Sequence, residues 1–438
     1  MNPQKILILI WLCVSCAFAN GFLITENTTP KGQVYWAHKI NDLGFVTFIF
    51  TFKNTGVTSD PLDKLGTVSM LCDVLQRGGG AYEEQEIAKV LKNIPCDLSV
   101  SAEDTEVFIS VRVPKKDLSQ AFTILQKILS KKDISQKKIN LLVRQTISGL
   151  EQSLHDPSAI ARQLFYKQFI GDHPLNSQTK KLLTTLPALT HKDLTRALQN
   201  VFQKRNLQVT LVGDYEPEEW DQLLDTFTDK LYSDTKLTKI PKVQFKNLGQ
   251  HKHGEYDVPQ TVMFFASPSI DTTHDDFLPF ALGMEMIGGS ESELFKEVRE
   301  KRGLVYYIGA SAIGDTNFPV VLGQAGFLPE KTTEVINIIK DVMGKAHTNL
   351  SDKKIQEYLK SAKHSFAFAR TNTLQIAELM QKTQLLGRSL SWLSSYPERL
   401  AQLKPSNIRK ALKDHIDVNK LIFITVGRSP EPILAKVQ

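Results

Sequence analysis

The chain has 438 residues, enough for two or three domains with sizeable cores. Hydrophobic residues make up 42% and charged residues 23%, the balance of a soluble globular protein. The net charge of +6 is spread over interspersed residues of both signs, with no Lys/Arg cluster interleaved with aromatics, which argues against a nucleic-acid partner.

The N-terminus reads as a targeting segment. Lys5 supplies a positive charge, Ile6 to Ala19 is apolar, and Ala17-Phe18-Ala19 fits a small-x-small cleavage site. The apolar run is too short for the roughly 20 residues that span a bilayer. The expectation is a signal peptide over 1–19 and an exported protein, periplasmic or secreted, with no stable membrane span. Cys13 and Cys16 would leave with the signal. Cys72 and Cys96 remain, and two cysteines make no disulfide framework.

Strands and helices then alternate. Residues 44–52 place Val46, Phe48, Phe50 and Phe52 on one face, a period-two strand. Residues 66–80 read as an apolar helix stopped by Gly78-Gly79-Gly80. Ile87, Val90, Leu91 and Ile94 make one helical stripe. Residues 105–113 form a strand with Val107, Ile109, Val111 and Val113 inward, and 117–129 a helix lined by Leu118, Phe122, Leu125 and Leu129. Residues 207–213 form a further strand.

The second half repeats this order. Residues 189–213 overlie 403–427 without a gap, at an offset of 214. Leu189, Ala197, Leu198, Leu207, Val212 and Gly213 meet Leu403, Ala411, Leu412, Leu421, Val426 and Gly427. At the same offset, strand 105–113 meets 319–327 and helix 117–129 meets 331–343. Several elements holding one offset indicate a duplication of about 210 residues. The pattern implies an α+β protein of two duplicated α/β sandwich domains, each a mostly antiparallel sheet with helices on one face. The domains fall at 20–230 and 258–438. The polar, Lys-rich segment 231–257 is expected to be the linker. Two such halves can face each other across a cavity.

Three stretches carry a resemblance. Residues 52–80, opening FKNTGVTSDPLDKLG and ending RGGG, are one; GDHPLNSQTKKLLTTL (171–186), followed by LVGD (211–214), is the second; GGSESELFKEVREKRGLVYYIGAS (288–311) is the third. In order, they resemble the pitrilysin/insulinase-type zinc metallopeptidases and their mitochondrial-processing-peptidase relatives. The resemblance covers nearly the whole mature chain, and REKRGLVY is its most specific motif.

Active members of that family hold zinc with H-x-x-E-H on the first-domain helix and a Glu from a later helix. Positions i, i+3 and i+4 share a helix face, so two imidazoles grip the metal while the Glu acts on its bound water. Here those positions fall at Ser69, Cys72 and Asp73. Both histidines and the glutamate are missing. The later helix (139–151) offers only Glu151 as an acid, at its end. No two of the ten histidines are four apart. His251 and His253 fall in the linker and are expected to be solvated. Thr273-His274-Asp275-Asp276 is expected to cap the following helix with its acids. No G-x-S-x-G, P-loop or dinucleotide fingerprint is present.

The second-domain motif is intact, with Arg299 and Tyr306 seven apart. In active relatives this pair reaches the peptide near the zinc. Arg supplies a charged fork of donors and Tyr one more, a set able to bind peptide carbonyls and stabilise an oxyanion. The structural reading of the same residues is that Arg299 pairs with a carboxylate and Tyr306 packs. Glu297, Glu300 and Lys301 are assigned to the solvated face, and Gly303 to a turn. The resemblance implies a zinc-less subunit of a heterodimeric metallopeptidase. Its partner would be a homologous chain with the zinc motif, and its substrates peptides. No metal or cofactor is expected in this chain, and zinc is expected in the partner. The other reading is an inactive scaffold or binding member of the family.

Overall fold

The computed structural model describes residues 23–130, 134–176, 179–233, 240–368 and 372–429. The proposed signal, 1–19, lies outside them. The first half contributes strands β1 (Thr25–Thr28), β2 (Val34–Lys39), β3 (Phe45–Lys53), β4 (Asp97–Ala102), β5 (Glu106–Pro114) and β6 (Leu207–Gly213). Its helices are α1 (Thr67–Gln76), α2 (Glu84–Asn93), α3 (Leu118–Ile128), α4 (Gln136–Ser153), α5 (Pro157–Phe169), α6 (Thr179–Thr185), α7 (His191–Val201) and α8 (Pro217–Thr228). The second half contributes β7 (His251–Glu255), β8 (Thr261–Pro268), β9 (Val305–Gly314), β10 (Pro319–Phe327) and β11 (Ile422–Gly427). Its helices are α9 (Phe277–Gly288), α10 (Thr332–Gly344), α11 (Ala346–Asn349), α12 (Asp352–Phe368), α13 (Thr373–Leu385), α14 (Leu390–Ser394), α15 (Tyr396–Gln402) and α16 (Pro405–His415).

Two sheets result, ordered β1-β2-β6-β3-β5-β4 and β7-β11-β8-β10-β9. Both are antiparallel except for β2–β6 and β7–β11, which run parallel. The fold class read from the sequence holds, and the duplication reaches further than the sequence suggested. β7 makes the same parallel pairing in the second sheet that β2 makes in the first. That corrects the linker: His251–Glu255 is an edge strand. Upstream of it, the chain is tied down by Val243 N–H to the Asn317 carbonyl (2.8 Å) and Lys246 N–H to the Phe169 carbonyl (2.8 Å). His251 and His253 are therefore ordered on β7. Ring nitrogens of both lie within 3.0 Å of the Thr425 hydroxyl.

Each half packs its own helices on one sheet face. Val46, Phe48, Phe50 and Phe52 are fully buried with Val107, Ile109, Val111 and Val113, over Phe122, Trp220 and Phe227. The opposite faces are covered by exchange. Helix α13, from the second half, lies on β3 and β6 of the first sheet. Its Ile376, Ala377 and Met380 pack with Trp36, Ile49 and Val212. Helix α5, from the first half, lies on β8 and β11 of the second sheet, where Phe165 and Phe169 pack with Ala266, Ile422 and Ile424. Thr47 and Thr51 of β3 are buried for this reason, bonded to Thr373 (2.7 Å) and Gln381 (3.2 Å) of α13. The two halves are thus packed together through these exchanged helices. Between them opens a cleft of about 430 Å³, lined by Lys53, Glu106, Asp315 and Lys382 among others.

Candidate functional site

Helix α1 starts at Gly66, whose φ of +89° is left-handed backbone that suits glycine. The Asp60 carboxylate reaches in from six residues upstream. It accepts the N–H groups of Gly66 (2.8 Å) and Val68 (3.0 Å), which would otherwise be orphan donors at the helix start. Burial nevertheless pushes the Asp60 carboxyl up to about 7, outweighing these hydrogen bonds. At the other end, the glycine run lets the chain pass α3 closely, since a Cβ on Gly79 would lie 2.5 Å from the Ile128 carbonyl oxygen. Lys138 of α4 donates to the carbonyls of Arg77, Gly79 and Tyr82 at 3.2, 3.1 and 2.9 Å, satisfying the helix end.

The three positions read as degenerate zinc sites do lie on α1. Ser69 is half-buried and lines a cavity of about 330 Å³ with Asp60, Leu65, His173, Asn176 and Leu182. Cys72 is only 3% exposed and belongs to the core. Burial pushes its thiol up to about 12. Asp73 is exposed, and so is Glu151 on α4. His173 is held by the Pro241 carbonyl (2.8 Å) and the Leu175 N–H (3.2 Å). Ser69, Cys72 and Asp73 do not form a zinc-binding set. Cys72 and Cys96 are both buried and free. Asp60 was not singled out in the sequence. The signal for it was an Asp-Pro ahead of a helix whose cap position holds a glycine.

Arg299 sits in a π-helical turn, Phe295–Glu300. The turn closes through Gly303 N–H to the Arg299 carbonyl (2.9 Å) and Leu304 N–H to the Val298 carbonyl (3.0 Å), with Gly303 at φ +61° as expected of a reversal. Strand β9 follows at the edge of the second sheet. In its pairing with β10, Val305 faces Phe327 and Tyr307 faces Gly326, so Tyr306 is the extra residue of a β-bulge. The bulge breaks the in–out alternation, and Tyr306 and Tyr307 are both exposed, at 48% and 37%.

Arg299 is exposed, with its guanidinium 5.2 Å from the centre of the Phe295 ring. Lys301 and Arg302 both pair with Glu297. Arg299 has no ion pair with any described residue. Helix α1 packs on β4, α4 and α7, while the 295–300 turn packs on α10 and β9. None of these residues lines the cleft between the halves.

Asp276 stands at the start of α9 but makes no side-chain cap bond there, which corrects the capping role read from the sequence. Its carboxylate faces His415 Nε2 at 3.1 Å, and Asp271 instead accepts the Thr273 N–H at 2.8 Å. Among the described residues no helix is long and apolar enough to cross a membrane.

Residues 188–362 match the family described as Peptidase M16 inactive domain. The Helicobacter pylori non-peptidase homolog YmxG is 22% identical over 427 residues, covering 92% of this chain and 93% of that one. A Pseudomonas fluorescens peptidase M16 inactive domain superposes with a TM-score of 0.84 at 19% identity, covering 94% and 99% of the two chains. The Escherichia coli periplasmic protease PqqL superposes with a TM-score of 0.80 at 14% identity, over 93% of this chain and 45% of PqqL.

Proposed function

The chain belongs to the M16 peptidase family, as a member whose α1 carries no zinc-binding set, and we propose that it is the non-zinc subunit of an exported, periplasmic heterodimeric metallopeptidase. A homologous partner supplies the zinc and its water. This chain binds the peptide and stabilises charge on it through Arg299 and Tyr306. The observation that carries the reading is the exposure of that pair: Arg299 has no ion-pair partner among the described residues while Lys301 and Arg302 are paired, and a bulge turns Tyr306 outward. Among the described residues the hydroxyl and guanidinium are donors without acceptors, which is what a peptide carbonyl or a tetrahedral oxyanion requires. Strand β9 adds unpaired edge backbone beside them, which an extended peptide can join.

PqqL supports a two-unit assembly. A body like this one occupies under half of that protein, leaving room there for a second; here the second comes from another chain. The end-to-end match to a non-peptidase homolog favours the scaffold reading, in which the same fold binds a partner and nothing is cleaved. Purification of the native complex separates the two. Zinc held by the partner, with peptidase activity that is lost when the partner's zinc motif is altered, is expected. A complex without peptidase activity supports the scaffold.

A further inference from the structure

Three ligand-bearing side chains converge on the second half, away from α1. His274 and Asp276 lie in the turn before α9, and His415 is the last residue of α16, 139 residues beyond Asp276. One ligand atom from each lies within 4.8 Å of the other two. His415 Nε2 is 3.1 Å from an Asp276 carboxylate oxygen. The His274 and His415 rings meet edge to face, with centroids 5.0 Å apart and planes at 78°. Phe280 packs against His415 from within the core, at 5.8 Å.

We infer that His274, Asp276 and His415 form a binding site for a divalent transition-metal ion of the zinc type, distinct from the degenerate positions on α1. Two imidazoles and one carboxylate are the nitrogen and oxygen donors such ions take, with the fourth position left to water. Bonds of about 2.1 Å in a tetrahedron put ligand atoms roughly 3.4 Å apart. The His415–Asp276 pair already meets that spacing. His274 is exposed, and its ring would close the remainder. His415 also stands at the C-terminal end of α16, where the helix dipole favours a cation.

Two terms oppose the ion. The His274 Nδ1 accepts the Asp276 N–H at 3.1 Å, and a neutral imidazole has one acceptor nitrogen, so ligation displaces that bond. Lys410 feels the Asp276 charge, but its ammonium is held by Asp414 at 2.6 Å. Neither removes a ligand. A bound ion would clamp the start of α9 to the end of α16, two helices that already pack together in the second core.

The test titrates Co²⁺ into the untagged full chain, follows the visible absorption of the bound ion, and then displaces it with Zn²⁺. One equivalent is expected. His274→Ala should weaken binding at least about 100-fold, more than the 10–100-fold that outer-shell partners contribute. Because His274 is exposed, the metal-free melting temperature should not move. His415→Gln keeps a donor to Asp276 and should lose the site as well. Ser69→Ala with Asp73→Asn should leave the affinity unchanged, which separates this site from α1. Absence of one-equivalent binding, or an affinity unchanged in both histidine variants, overturns the assignment.

Discussion

Asp60→Asn tests the physics at the start of α1. In the folded chain the Asp60 carboxyl titrates near 7, against 3.8 when unfolded, because burial disfavours its charge. A folded value above the unfolded one means that the neutral acid is favoured by folding. The associated stability is fully present below about pH 4 and is lost as pH rises through about 7. A shift of roughly three units is at most about 4 kcal/mol, and partial solvent contact reduces it to roughly 2–4 kcal/mol. Asparagine stays neutral and removes this slope. Like the neutral acid, it keeps one strong acceptor for the two N–H groups that Asp60 satisfies. Urea denaturation should therefore find the two proteins alike near pH 4, and the variant more stable at pH 8. Parallel pH profiles for the two proteins between pH 5 and 8 would refute the reasoning.

Other perturbations probe how the candidate site is supported. A Cβ on Gly288 would lie 2.1 Å from the Ala310 carbonyl oxygen, so Gly288→Ala must push α9 off β9. Denaturant melts should show a loss of about 1–3 kcal/mol or more. Met380→Ala empties a fully buried position where α13 covers the first sheet. The loss should be roughly 2–5 kcal/mol, in a single transition, because α13 belongs to one half and its sheet to the other. Cys72 and Cys96 have thiols pushed up to about 12 and about 11 by burial. Both should resist a thiol-specific reagent in the native protein and react promptly in urea.

Much of this fold was legible before the structure. The strand expected at 44–52 is Phe45–Lys53, and that at 105–113 is Glu106–Pro114. Their inward residues are the fully buried ones, because half-burial imprints period two on a strand. The opposite face of β3 broke the simple pattern: Thr47, Ile49 and Thr51 are buried too, since α13 arrives from more than 300 residues away. Nothing in a local window encodes that. β7 was hidden for a related reason. An edge strand with a polar sequence (HKHGE) has no apolar alternation to read. At the site, the missing zinc ligands and the Arg/Tyr motif were visible as residue types at fixed spacing. The bulge at Tyr306 was not, because it is a property of the β9–β10 register. The His274–Asp276–His415 group escaped a search by spacing because its members come from both ends of the second half.

The most direct measurement of the proposed role is the peptidase rate of the complex reconstituted from this chain and its zinc-bearing homologue, with Arg299→Ala or Tyr306→Phe in this chain. Both side chains are exposed and Arg299 has no ion pair among the described residues, so neither change should shift the melting temperature by more than about 2 °C. If the pair acts on the peptide, each variant should lose roughly 10²–10³ in rate while the heterodimer stays intact. Rates within about twofold of wild type for both variants, in an intact and active complex, would contradict a role for this chain in the chemistry.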